Sequence, residues 1–444
     1  MPITPGSTHD SNVRARNAVF VAFVGSGFGF ASWASRIPQI RDAVQATPAE
    51  LGLILLAIAA GAVIALPLAG LVVNRFGPAW TVAVLATVLS VGMVILALGT
   101  PVGALPVVIG LFLIGYGNGT WDVAMNVEGA DVEQRLERTM MPRFHAGFSV
   151  GTVLGALGGA ACVALDISVT THLLVVAALN LAVVPVTVLR GFLPRTVEPP
   201  TPTEASTGKP PHPLTAWREP RTLLLGLFGL CMAFSEGVGN DWLAVAVIDG
   251  YGTAPVVGPL AFAVFLAAMT AGRWFGPSLI DRRGRVFAVR ASALVALAGL
   301  LLVVLGPPLL PAALLGAALW GGGTALGFPV AMSAAADDPA LAAARVSVVA
   351  SIAYTAFLAG PPLIGFLGEQ VGVLRALTIV AGLLGVALLV GGVTRPLATP
   401  SRLSASVGIA RRRTEEERVD NAFPSARDDE VGGSERDVRA NRPD

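Results

Sequence analysis

Asn118, Asp122 and Asn126 stand four residues apart inside GYGNGTWDVAMN (115–126), a stretch otherwise apolar or small. Wound as an α-helix at 100° per residue, they share about 100° of arc with Gly115 and Gly119. One face is therefore small and polar, and the rest is greasy. A carboxylate at the centre of an apolar helix costs ~2.5–3.5 kcal/mol on insertion scales, and a wet cavity or a partner removes most of that cost. The chemistry open to this face is proton exchange at Asp122, with hydrogen bonding of a polar solute by Asn118 and Asn126. The competing reading is a carboxylate tied to a neighbouring helix.

A second set of acid and amide lies in EGVGNDW (236–242). Glu236 and Asn240 are one turn apart, and Asp241 points about 140° from Glu236 if the helix is regular. Gly237 and Gly239 predict a loosened helix here, and broken helices line solute sites in membrane proteins. The expected roles are proton coupling at Glu236 and solute contact at Asn240 and Asp241, against carboxylates satisfied by backbone near the break. Trp33 and Trp242 occupy similar places in the two halves of the chain. Their faces suit a ring-bearing solute, or else they sit at a membrane interface. Arg36 reads as a solute contact, as a partner for Glu236 or Asp241 when the outer end closes, or as a snorkelling cation. Arg273 reads as an inner gate or a structural ion pair. His145 begins the helix after that of Asp122 and titrates in a range suited to a proton relay; a capping role is the alternative.

Such residues need membrane helices to hold them. Of the 444 residues, 54% are hydrophobic and only 13% are charged, against ~25% charged in a soluble domain. Mean hydropathy is +0.71. Twelve apolar runs of about 20 residues or more are predicted to span, at roughly 17–37, 50–73, 79–99, 104–128, 144–165, 170–190, 221–248, 255–280, 286–306, 309–334, 342–367 and 371–393. Asp122 then lies about six residues, or ~9 Å, from the inner end of helix 4. The expected plan is a cytoplasmic N-terminus (1–16), a six-helix bundle (17–190), a proline-rich cytoplasmic linker (191–220), a second bundle (221–393) and a disordered cytoplasmic tail (394–444).

Basic residues set the orientation. With the N-terminus inside, Arg75, Arg135, Arg138, Arg143, Arg190, Arg218, Arg221, Arg282, Arg283, Arg285, Arg290 and Arg345 all fall on inner loops or inner helix ends. Arg36, Arg41 and Arg375 are left for the outer side. That asymmetry places both termini in the cytoplasm of a multi-pass protein. Among the 30 basic residues Lys209 is the lone lysine, a bias that, with abundant Ala, Val and Gly, suggests a GC-rich bacterial genome and hence a bacterial inner membrane. The halves also echo each other at one offset of 207 residues. N-R-F-G at 74–77 returns as D-R-R-G at 281–284, and V-A-M at 123–125 returns at 330–332. Duplicated six-helix halves are a transporter plan.

Several chemistries are excluded. A net charge of +1 implies no nucleic-acid partner. Lys209 is followed by proline, so no Walker-type phosphate loop exists. Cys162 and Cys231 are too few for a disulfide framework, and no cysteine or histidine cluster suggests a metal or cofactor. GFSVG (147–151) matches G-x-S-x-G, but inside a membrane helix it cannot form the strand–turn–helix elbow of a hydrolase. Its glycines read instead as close helix packing. No enzyme activity is expected.

From about residue 14 to 393 the chain resembles the major facilitator superfamily. The superfamily's signature between helices 2 and 3 stands here as GLVVNRFGPA, with Asn74 in the usual place of an acid, and LIDRRGR forms its second copy. The resemblance implies that Arg75, Asp281, Arg282 and Arg285 gate the inner face. SWASRIP (32–38), GNGTWDVAMN (117–126), RFHAGFSVG (143–151) and EGVGNDW (236–242) resemble a bacterial branch similar to the proton-coupled fucose permeases. In those, an acid in helix 4 followed four residues on by Asn helps bind sugar and carry protons, as Asp122 and Asn126 would. Their helix 1 acid has no counterpart in Ala34-Ser35-Arg36. The stretch 151–159 is also similar to the antiporter signature of helix 5, with Ala156 in place of its proline. The expectation is an all-α protein with twelve helices in two pseudo-symmetric bundles. It is expected to work as a monomer that imports a sugar-like or small polar solute by alternating access, driven by protons. Proton-driven efflux of amphipathic compounds, and a non-transporting membrane sensor or scaffold, are the alternatives.

Overall fold

The computed structural model describes residues 5–138, 140–193, 213–338 and 341–397. Among them, twelve helices are long and apolar enough to cross a membrane. They are α1 (Ser11–Ala34, in a helix that begins at Pro5), α2 (Pro48–Phe76), α3 (Pro78–Gly99), α4 (Ala104–Leu136), α5 (Met141–Ala164), α6 (Val169–Gly191), α7 (Pro220–Tyr251), α8 (Val257–Arg283), α9 (Arg285–Leu305), α10 (Leu310–Ala335), α11 (Ala344–Val371) and α12 (Val373–Thr394). A short helix, Ile37–Val44, lies between α1 and α2. The compact unit that holds the spans ends at Pro396. Most of the expected linker (194–212) and of the expected tail (398–444) lies outside the described residues.

Local chemistry sets the helix ends. Thr47 and Glu50 form a reciprocal capping box at the start of α2: the Thr47 hydroxyl accepts from the Glu50 N–H at 3.3 Å, and the Glu50 carboxylate accepts from the Thr47 N–H at 2.9 Å. Proline opens α2, α3 and α7, where a missing N–H costs nothing. A single glycine is the whole connection between α2 and α3, and another is the whole connection between α8 and α9. Gly77 has φ 82° and ψ 159°, and Gly284 has φ 81° and ψ 162°. A Cβ disfavours that backbone region strongly. The two glycines are 207 residues apart, so the duplication seen in sequence recurs in backbone geometry.

Packing repeats in the same way. In the first half α1 packs on α5 and α6, α4 on α2 and α3, and α3 on α6. The second half copies this six helices later: α7 on α11 and α12, α10 on α8 and α9, and α9 on α12. The halves meet through α2 with α11 and α5 with α8, contacts that exchange under the same two-fold relation. Main chains approach closely in these pairs; a Cβ on Gly92 would meet the Gly110 carbonyl at 2.8 Å, and one on Gly110 would meet that of Gly92 at 2.7 Å. Small residues at helix contacts serve this in a membrane.

Two expectations about the helices need correction. Helix 4 continues to Leu136 rather than ending near residue 128, so Asp122 is about 14 residues, or ~21 Å, from that end and sits near mid-helix. Helix 7 does not break at Gly237 and Gly239. Those glycines leave room for aromatic rings: Cβ atoms there would lie 3.1 Å from Phe357 and 2.5 Å from Phe265, while the helix runs unbroken from Pro220 to Tyr251. The interruption falls instead in α10, at Ala325–Leu326. Pro329 explains it, because proline has no N–H for the Ala325 carbonyl four residues back.

Candidate functional site

The seam between the halves encloses a chain of three cavities. A central chamber of about 250 Å³ is lined by Phe30 and Trp33 from α1, Asn118 and Asp122 from α4, Asn240 and Asp241 from α7, and Tyr354 and Phe357 from α11. A side chamber of about 160 Å³ shares Phe30, Asn118 and Asn240 with it and adds Ser149, Thr152, Glu236, Thr270 and Arg273. A mouth of about 920 Å³ shares Arg273, Thr270 and Ser149 with the side chamber and Asp122 with the central one. Its rim carries Arg143, His145, Arg285 and Ser333, at the arginine-rich end of the bundle. Asp122 is thus common to the mouth and the centre.

Asp122 is held in place by its own helix. The Asn126 amide donates to the Asp122 main-chain carbonyl at 2.8 Å and to its carboxylate at 3.3 Å. Asn126 does not line any of the three cavities; it positions the acid rather than facing a solute. Asn118 accepts from the Ser26 hydroxyl at 2.7 Å, which turns its amide nitrogen toward the chambers. In α7, Glu236 faces the side chamber and Asp241 the central one, as their spacing on a regular helix requires. Glu236 accepts from Arg273 of α8 at 2.7 Å, and the pair is half-buried. The Asp241 carboxylate makes no hydrogen bond or ion pair with any described residue.

The aromatic lining differs from expectation. Trp33 lines the central chamber, edge-on to Phe30 at 6.0 Å. Trp242 does not: it is fully buried and absent from all three cavity walls. The matching surface comes from Tyr354 and Phe357, 6.1 Å apart on α11. An aromatic residue in an apolar helix gives no sequence signal of the side it faces, so nothing singles these two out. Arg36 is also displaced from the path. It is buried, its Nη2 donates to the Ile167 carbonyl at 2.7 Å, and it meets neither Glu236 nor Asp241 although the outer end is closed. His145 packs edge-on to Phe23 at 5.1 Å and faces the mouth together with Asp122.

At the end opposite the mouth the halves are sealed. Arg41, in the short helix's last turn, pairs with Asp249 near the end of α7. The Ala49 N–H donates to Glu369 of α11 at 3.3 Å. Between these, α2 and α11 lie main chain to main chain: a Cβ on Gly52 would meet the Pro361 carbonyl at 2.6 Å. In sequence Arg41 stands out only as an exception to the charge asymmetry, and nothing singles out Asp249 or Glu369.

At the arginine-rich end, ion pairs among the described residues brace the second half. Arg285 donates to Asp337 at 2.5 Å and to Ser333 at 3.2 Å, and Arg221 shares Asp337 at 3.0 Å. Arg345 pairs with Glu219 at 2.7 Å and Asp338 at 3.3 Å; its guanidinium holds the Glu219 carboxyl below the usual carboxylate range. Asp281 and Arg282 are exposed, and Arg75 lies over the Phe76 ring at 6.0 Å. Arg285 therefore braces α9 to α10 in this arrangement and does not cross to the first half. Glu128 and Glu133, not singled out by sequence, brace the same end of the first half: Glu128 accepts from the Leu193 N–H at 2.6 Å, and Glu133 from the N–H groups of Met140 and Met141 at 2.5 and 2.7 Å.

Known proteins share this architecture. The family model described as Major Facilitator Superfamily matches residues 19–356. An uncharacterized transporter of Sinorhizobium fredii is 32% identical over 352 residues, covering 79% of this chain and 90% of that protein. The membrane protein MosC of Rhizobium meliloti is 27% identical over 369 residues, covering 82% and 86%. Among solved structures, a mutant of the nucleoside transporter NupG superposes with a TM-score of 0.71 at 14% identity, covering 86% of this chain and 99% of its own. A bacterial homolog of the human lysosomal transporter Spinster, inward-facing and occupied, gives 0.70 at 14% identity, covering 85% and 96%. The E. coli fucose:proton symporter FucP gives 0.57 at 16% identity, covering 87% and 100%. At these identities the structural likeness is one of fold.

Proposed function

The chain belongs to the Major Facilitator Superfamily and is a multi-pass membrane transporter, and from that premise we propose that it imports a small polar solute of sugar-like size together with protons. The observation that carries this reading is the place of Asp122: one carboxylate shared by the mouth and the central chamber, with no base beside it in the centre. A volume of about 250 Å³ lies just under the ~300–1,000 Å³ of drug-sized sites, so it suits a smaller molecule. The arginine-rich end, where the mouth opens, is the cytoplasmic side, both termini lie there, and the membrane is a bacterial inner membrane. The chain works as a monomer, because each chamber is complete within it.

The cycle follows from charge. An ionised Asp122 in an apolar seam resists closure over it, because closing removes its water. A proton taken from outside neutralises it and lets the loaded halves rock. Opening of the mouth then wets Asp122 and lets the proton leave to the cytoplasm, with His145 on the exit path. The Glu236 carboxylate is already paired with Arg273, so the proton role is assigned to Asp122. In proteoliposomes Asp122→Asn is expected to lose more than ~90% of gradient-driven accumulation, an effect of the order seen when a proton-transfer group is removed, while solute exchange without a gradient persists. Accumulation at the wild-type level would overturn the role given to Asp122. The amphipathic-efflux reading gains from the four aromatic residues of the central chamber; outward movement of flat apolar compounds in the same assay would select it.

A further inference from the structure

The central chamber is unbalanced in charge. It holds two carboxylates, Asp122 and Asp241, and no Lys, Arg or His among its lining residues. Arg273 belongs to the adjoining chamber and is already taken by Glu236 at 2.7 Å. One acid meets the mouth directly: Asp122 borders the mouth as well as the centre. The other does not. Asp241 borders only the central chamber and has no partner among the described residues. A lone carboxylate in a chamber with four aromatic side chains is costly unless it takes up a proton or a positive charge joins it. Aromatic faces attract that charge too, since a cation within about 6 Å of a ring centroid is drawn to its electron-rich face. The rings of Phe30 and Trp33 lie 6.0 Å apart, and those of Tyr354 and Phe357 6.1 Å apart. An acid, an amide at Asn240 and paired rings make a receptor for an ammonium group.

We infer that the solute is a small organic cation, an amine whose ammonium group sits against the Asp241 carboxylate among these aromatic rings. The inference rests on the transport reading above and gives the two acids separate roles. Asp122 exchanges protons, and Asp241 selects the solute. Neutral sugars of the same shape would leave Asp241 without a counter-charge and bind less well. In this scheme each arriving amine supplies the positive charge that the closed chamber lacks.

The experiment compares a matched pair, glucose and glucosamine, with tyramine as an aromatic amine, in proteoliposomes of the full chain. Uptake and counterflow are measured alongside internal pH. Either amine is expected to be favoured over glucose by about tenfold or more, the worth of one charge-assisted hydrogen bond. In Asp241→Asn the preference should fall to near one, while in Asp122→Asn it should persist in counterflow. Proton-linked movement of glucose at the amine rate, or a preference for amines that survives in Asp241→Asn, overturns this inference and leaves the transport reading standing. Absence of flux for all three, with no ligand-induced stabilisation of the purified chain, counts against both. Should Asp241→Asn fail to fold, thermal stabilisation of the wild-type chain by each solute makes the same comparison, and equal shifts for amine and sugar overturn the proposal.

Discussion

At the scale of single residues, the site is defined by which polar groups are paired. Asn126 secures Asp122 along its own helix, Arg273 answers Glu236, and Asp241 is left open. Breaking the Glu236–Arg273 pair by one partner strands a half-buried charge, whereas removing both charges strands none. Glu236→Gln and Arg273→Gln are each expected to lower the melting temperature of the detergent-solubilised chain. The double variant should recover most of the loss, with a coupling above ~1 kcal/mol in the double-mutant cycle. Additive losses would mean that the two side chains do not depend on each other. The acids are legible in sequence because a carboxylate is conspicuous among Leu, Val and Ala. Tyr354 and Phe357 are not, since an aromatic residue in an apolar helix looks the same whether it faces lipid, core or cavity. Trp242 misleads for the same reason: its match to Trp33 in sequence place fixes the helix but not the side it faces.

At the scale of elements, the twelve spans are legible because length and hydropathy decide them, and the repeat at 207 residues because the same turn chemistry is used twice. Breaks inside helices are harder. Gly237 and Gly239 resemble a weak point, yet the rings of Phe357 and Phe265 fill the space their missing side chains leave, and packing outweighs the glycines' low helix propensity. Pro329 does interrupt α10, one turn before itself, because the defect in a proline helix falls on the carbonyl it cannot serve. The turn glycines carry a sharper expectation. Gly284 has open space around it but a left-handed φ of 81°, so Gly284→Ala should cost ~1–3 kcal/mol through backbone strain alone. Gly158 has equally open space in the helical region, and Gly158→Ala should be neutral or gain up to ~1 kcal/mol. Thermal unfolding of the two variants side by side measures the contrast, and equal effects would count against the strain argument.

At the scale of the whole molecule, one end of the seam is shut and the other open. The shut end combines backbone contact at Gly52 and Gly365 with the half-buried Arg41–Asp249 pair. Gly52→Val should shift the population toward the outward-open form by ~10-fold or more, an overpacking effect of ~1–3 kcal/mol, and Arg41→Ala, which leaves Asp249 without its partner, should shift it the same way. Spin-label distances between the outer ends of α2 and α11 would report it; an unchanged distance distribution in Gly52→Val would show that the seal lies elsewhere. The one-residue joints at Gly77 and Gly284 bear on how such a shift travels. A hinge of a single residue has no slack, so α2 must carry α3 with it and α8 must carry α9. Tilting either seam helix at its outer tip thus levers a lipid-facing neighbour at the far surface, and the surrounding bilayer becomes a mechanical load on every turnover.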